Sequence, residues 1–256
     1  MFRLPVSGLQ VDLHQFTGAE DMLLLESDAE DWGISIAMAE RLAHQVDGEA
    51  LDAAALPATD VEALLLEQRR VILGDDLNPR AQCGQPGCAA QIDVSFRISN
   101  YLEYHRPRMP RIAGPLKEQP GWFRLHETDV SFRLVTAGDL MAIQGLAHPE
   151  KELAVRTMRP QPLAEKDIRR VQQAMEAMAP PLSRELEGRC PECNAAVRLF
   201  FNPRTYVQRE LRFEAAFLYE DVHLLATRYH WSEEKILSLP RTRRVQYAEL
   251  AVRSVT

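Results

Sequence analysis

The sequence predicts an α+β fold, mostly helical, in which a small β element is split by a long inserted subdomain. Three observations predict it. Apolar residues recur at helical spacing over several stretches. Short runs alternate in the manner of half-buried strands. Four cysteines fall into two close pairs, with 101 residues (89 to 189) between them. The 256 residues are 46% hydrophobic and 26% charged, ordinary globular usage that excludes a collagen-like, coiled-coil or wholly disordered chain.

Residues 1–80 read as an acidic, helical N-terminal region. A short strand opens it, and Thr17-Gly-Ala-Glu20 has the spacing of a capping box. A helical stretch follows around Ile34 to Val46. Thr59-Asp-Val-Glu62 repeats the capping pattern ahead of Leu64, Leu65, Val71 and Ile72 on helical spacing, and Gly74-Asp-Asp stops that helix.

Residues 81–104 hold the first cysteine pair and an alternating strand of Ile92, Val94, Phe96 and Ile98. Residues 105–189 form the inserted subdomain. Its first part, His105 to Gly121, carries Pro107, Pro110, Pro115 and Pro120 and reads as an extended arm. Asp93-Val-Ser-Phe-Arg97 recurs as Asp129-Val-Ser-Phe-Arg133, which predicts two strands of one sheet. Thr136-Ala-Gly-Asp139 caps a helix through Leu140 and Ile143. Ile168, Val171, Met175 and Met178 mark an amphipathic helix that Pro180-Pro181 ends.

Residues 190–256 carry the second cysteine pair and the C-terminal helices. Val197 to Phe201 read as a strand. Leu211, Ala215, Leu218, Val222, Leu225 and Tyr229 share one helical face. Ser232 is an expected N-cap with Glu233 and Glu234 at the positive helix end, and Arg241 to Val252 form a last helix after Pro240.

The pairs themselves read CGQPGC (Cys83, Cys88) and CPEC (Cys190, Cys193). A structural zinc ion takes four ligands in a tetrahedron, commonly thiolates. Two pairs carried on Gly- and Pro-rich turns, each followed by a strand, suit a zinc ribbon wrapped from two sides. Zn2+ is therefore the expected cofactor, structural because no open ligand position is suggested. Disulfides and free thiols are the alternatives; an intracellular address disfavours the first.

Net charge is −7, unevenly spread: residues 1–80 carry −11 and the remainder +4. Nucleic-acid binders need a basic footprint to displace counterions, so an acidic chain favours protein partners. A zinc-ribbon nucleic-acid-binding regulator is the alternative reading. Arg241, Arg243 and Arg244, together with Trp231, are the expected partner-docking residues. No phosphate loop, dinucleotide fingerprint, zinc-protease helix or nucleophile elbow is present. The seven histidines are scattered, and no active site is nominated. Apolar runs such as Met22–Leu25 fall far short of the roughly 20 residues of a membrane span. No basic start with a following apolar stretch is visible, so the expected address is the cytoplasm.

Four segments carry a family resemblance: Leu64-Leu-Leu-Glu-Gln-Arg-Arg-Val-Ile-Leu-Gly-Asp75, Arg133-Leu-Val-Thr-Ala-Gly-Asp-Leu140, the CPEC pair, and EDVHLLATRYHWSEEKILSLPRTRRVQY from Glu220 to Tyr247. In this order they resemble baseplate and baseplate hub assembly proteins of contractile-tailed phages and phage-tail-like injection systems. The resemblance spans about residues 64 to 250. It implies a non-enzymatic structural or chaperone-like protein whose partners are other baseplate or tail proteins, and which is found free in the producing cell or within the finished particle. The first pair, CxxxxC, departs from the commoner CPxC, and 105–121 resembles an insertion.

Overall fold

Helices account for 46% of the protein and strands for 19%, and every strand pairing is antiparallel. The α+β expectation therefore holds. The structure, a computed structural model, describes residues 1–27 and 31–253. β1 (Phe2–Arg3), β2 (Gln10–Leu13) and β3 (Ala43–Gln45) make a three-stranded sheet, with α1 (Gly18–Glu26) and α2 (Trp32–Leu42) between the last two. α1 opens on the expected capping box: the Glu20 carboxylate accepts from the Thr17 backbone N–H at 2.8 Å. The helix expected to run to Val46 stops at Leu42, because Ala43–Gln45 are taken into the ladder with Val11–Leu13.

α3 (Ala58–Leu73) is the central element, buried on every side from Thr59 to Arg69. Its expected Thr59 cap is not formed, since the helix begins earlier, with Pro57 at the cap position. The Thr59 hydroxyl instead donates to the Pro180 carbonyl at 3.2 Å, and Ala58 N–H donates to Val135 O at 3.0 Å. Gly74, at φ 91°, ends the helix as its position predicts. β4 (Asp76–Leu77), β5 (Arg80–Gln82), β6 (Gln91–Asp93), β7 (Phe96–Arg97) and α4 (Ile98–Tyr104) follow. The single strand expected over Ile92–Ile98 is in fact two, β6 on β5 and β7 on β4, and Ile98 starts a helix.

The insertion holds β8 (Ala113–Pro115), β9 (Trp122–Leu125), β10 (Ser131–Arg133), α5 (Ala137–Ile143), α6 (Pro149–Thr157), β11 (Met158–Arg159) and α7 (Glu165–Met178). Its sheet runs β11-β10-β9-β8, over a separate core of Leu125, Phe132, Met158, Val171, Ala174 and Met178. The arm expected over 105–121 thus contributes an edge strand, where Pro115 is tolerated. The two Asp-Val-Ser-Phe-Arg echoes lie in different sheets, correcting the expectation of one. α5 starts at its predicted Thr136 cap, where Asp139 completes a capping box, and Arg133 grips Asp139 at 2.5 and 2.8 Å. Burial raises the Asp139 carboxyl, but the Arg133 bond and charge together with the Thr136 hydrogen bonds outweigh it, and the net shift is downward.

β12 (Arg184–Arg189) and β13 (Ala196–Phe201) form a hairpin, followed by α8 (Pro203–Ala215), α9 (Leu218–Tyr229), α10 (Glu233–Leu237) and α11 (Arg241–Arg253). The apolar face expected to be continuous from Leu211 to Tyr229 is broken after Ala215. Its two halves serve different cores: Val207 and Leu211 the main one, Leu225 a small one with Ile236 and Ala248. The main core also draws on Leu4, Leu24, Met38, Leu182 and Phe201, so residues 1–80 share an interior with the C-terminal segment.

The C-terminal helices are clamped back onto α1. Asp21, 0% exposed, accepts from Arg241 Nε at 2.9 Å and Arg244 Nη2 at 2.6 Å, and Arg244 Nε reaches Asp221 at 3.2 Å. Gly18 permits the approach: a Cβ there would lie 2.9 Å from the Leu237 Cα. Removing one member of a buried ion cluster strands the others and costs about 3–5 kcal/mol. Asp21→Ala is therefore expected to lower unfolding free energy by about that much in urea titration, whereas Arg243→Ala, at an exposed position, stays within about 0.5 kcal/mol.

Candidate metal centre

Each cysteine pair sits at the tip of a β-hairpin. β5 and β6 pair with Arg80 opposite Asp93 and Gln82 opposite Gln91, and the first pair fills the turn between them. β12 and β13 pair from Arg184–Phe201 to Arg189–Ala196, and CPEC fills the second turn. The turns close alike. Cys83 N–H donates to Ala90 O and Cys190 N–H to Ala195 O, both at 2.9 Å. The residue after each second cysteine, Ala89 (φ 48°) and Asn194 (φ 60°), takes the left-handed conformation. The first turn spends its two extra residues on the Gln85–Cys88 turn, where Gly87 has φ 84°, so CxxxxC delivers its sulfurs much as CPxC does.

The hairpins bring all four sulfurs together. Cys83 Sγ lies 3.6 Å from Cys193 Sγ and Cys88 Sγ 3.7 Å from Cys190 Sγ, with the four ligand atoms within 4.8 Å of one another. A disulfide needs about 2.05 Å, and all four thiols are unbonded. Sulfurs tetrahedrally placed about 2.3 Å from a zinc ion stand about 3.8 Å apart. The donor set and its spacing therefore fit a tetrahedral thiolate-bound metal. Ala81, Ile92, Ala195, Val197 and Leu199 pack around it as a small apolar cluster.

Electrostatics point the same way. Backbone N–H groups of Cys193 and then Glu192 bond the Cys190 sulfur and pull its thiol down to about 7, against burial. At Cys83, Cys88 and Cys193 a backbone N–H also lowers the value, from Gln85, Ala90 and Ala195 respectively. There burial and the neighbouring sulfurs outweigh it, and those thiols stay above their ordinary range. The Cys190 sulfur is thus the most readily ionised of the four. A divalent ion supplies the positive charge that lets the others ionise.

The expected docking residues fare differently. Arg241 and Arg244 are 8% and 1% exposed and committed to Asp21, so they are corrected from surface ligands to buried structural cations. Arg243 remains exposed. Trp231 is half-buried, stacked on Tyr229 at 5.0 Å, edge-on to Tyr247 at 5.2 Å, with the Lys235 ammonium 5.1 Å from its ring centre. Sequence spacing alone does not reveal the pairing of His14 with His44, thirty residues apart, which β2 and β3 bring into contact.

Neither protein-family models, nor curated proteins, nor solved structures yield a match to this chain. Among the described residues, no helix is long and apolar enough to cross a membrane.

The cluster predicts one tightly held metal per chain. Protein purified without chelator is expected to carry about one equivalent by plasma emission spectroscopy. Cys190→Ser is expected to lose it and to melt at lower temperature, because metal binding free energy is folding free energy. Lowering the pH displaces the ion, since protons compete for the sulfurs.

Proposed function

We propose that the protein is a non-enzymatic structural or assembly component of the baseplate of a contractile phage tail or injection system, with a structural zinc ribbon at Cys83, Cys88, Cys190 and Cys193. The observation that carries the ribbon is the convergence of two hairpin tips, 101 residues apart in sequence, on one four-sulfur cluster. When bound, zinc supplies four directed bonds and no reaction. The protein's own contribution is to present the sulfurs at tetrahedral spacing, bond them with backbone N–H groups and pack Val197 and Ile92 against the cluster. The hairpins flank the insertion in sequence, so the ion clamps the place where the chain leaves for that subdomain and returns.

The baseplate part rests on the order of the resembling segments. They form α3, the β10–α5 capping unit, the second cysteine hairpin and α9 to α11, which include the central helix and the clamp onto α1. Net charge of −7 favours protein partners over a nucleic acid. An assembly component with no solution chemistry of its own needs a rigid frame and exposed apolar contacts. Phe200, Phe213 and Phe217 are 66%, 76% and 64% exposed.

Disrupting the coding sequence in a genome that encodes such a tail tests the reading. The expected result is tails lacking a complete baseplate by electron microscopy, restored by the wild-type chain and not by Cys190→Ser. Intact, contraction-competent particles in the disrupted strain would sink it.

A further inference from the structure

We propose a second cation site, on the face of the N-terminal sheet, formed by the imidazoles of His14 and His44 and specific for a late first-row divalent transition metal. It is independent of the four-cysteine cluster and of the baseplate reading. β2 and β3 create it. Asp12 stands directly opposite His44 in the register, and His14 N–H extends the ladder by donating to Leu42 O at 2.7 Å. Residues two apart on a strand face the same way, as do residues directly opposed across a pair. Asp12, His14 and His44 therefore share one face.

The two rings are stacked with centroids 4.5 Å apart, and His44 Nδ1 lies 3.0 Å from His14 Nε2. One ring nitrogen donates there and the other accepts, the roles set by the tautomer, so one proton lies between the two nitrogens. Protonating both rings would place two positive charges at that spacing. A metal ion avoids that penalty by taking a lone pair from each neutral ring, the bridging proton moving to the far nitrogen of its own imidazole. Nitrogens 3.0 Å apart, each about 2.05 Å from one ion, subtend about 94°. That is the corner of an octahedron or a square, not of a tetrahedron, and it favours Ni2+ or Cu2+ over Zn2+. His14 is exposed and His44 half-buried, so small side-chain rotations suffice to aim both lone pairs at one point. The Asp12 carboxylate, opposite His44, is held by the N-terminal ammonium at 3.2 Å, so the site rests on the two imidazoles.

Calorimetric titration of the full chain with Ni2+ at pH 7.5, after zinc saturation, tests the site. Nickel bound to thiolates shows sulfur-to-metal charge-transfer absorption that imidazole-bound nickel lacks, so the two sites are read apart. The expected result is one equivalent of Ni2+ bound without that absorption. His14→Ala and His44→Ala should each weaken it at least tenfold, the double variant should abolish it, and His223→Ala, an exposed histidine on α9, should leave it unchanged. Circular dichroism checks that the surface variants fold. Acidification to pH 5.5 should weaken binding, as protons compete for the imidazoles. Absence of an imidazole-type equivalent in the wild-type chain, or wild-type affinity retained in either single histidine variant, would overturn the proposal.

Discussion

A helix buried on every side gives its charged residues no water to face, so each must find a partner, and most find it in some other segment. That constraint on α3 organises most of this fold. Asp60 accepts from the backbone of Val6 and Ser7 at 2.7 and 2.8 Å, which pins the β1–β2 turn to the helix. Glu62 accepts from the Ser183 hydroxyl at 2.9 Å, which fixes the chain as it returns from the insertion. Arg69 grips Glu210 at 2.8 and 3.2 Å and so orients α8. Burial pushes both the Asp60 and Glu62 carboxyls upward, with their hydrogen bonds opposing it. The polar residues of α3 thus act as addresses for three distant stretches of sequence.

The clamp around Asp21 applies the same physics at the periphery. One buried carboxylate takes two guanidiniums from a single helix, and Arg241 lies over the Phe16 ring at 4.4 Å. Arg241 N–H also donates to Phe16 O, and Thr17 bridges Pro240. Ion pair, ring contact and backbone bonds together close the C-terminal helices onto the start of α1. The sulfur cluster then joins the hairpins on either side of the insertion. The insertion keeps its own core and touches the body through backbone bonds such as Gly138 N–H to Ala54 O at 2.9 Å.

Features governed by neighbours in sequence were readable before any fold was known. The capping boxes at Thr17 and Thr136, the stop at Gly74, the N-cap at Ser232 and the apolar stripe of α7 follow from contacts within a few residues. Thr59 had the same signature as Thr17 and failed as a cap, because α3 starts earlier, where its Ala58 N–H finds Val135. The repeated pentapeptide also misled. Five residues determine a tendency to be extended, but strand partners are chosen by the rest of the chain.

The sequence by itself determined the α+β class, the helix boundaries set by local caps, and the placing of the four cysteines on two turns, since each pair is legible within six residues. Only the tertiary structure decided which charges are surface and which are interior. Arg241, Arg243 and Arg244 are adjacent and chemically equal on paper, yet two of them are buried on Asp21, more than two hundred residues away. It likewise decided that His14 and His44 meet, because strand register is a long-range choice. The physical reason is common to both. Local hydrogen bonding is encoded in neighbouring residues, whereas the partner of a buried charge or a paired strand depends on where the whole chain places it.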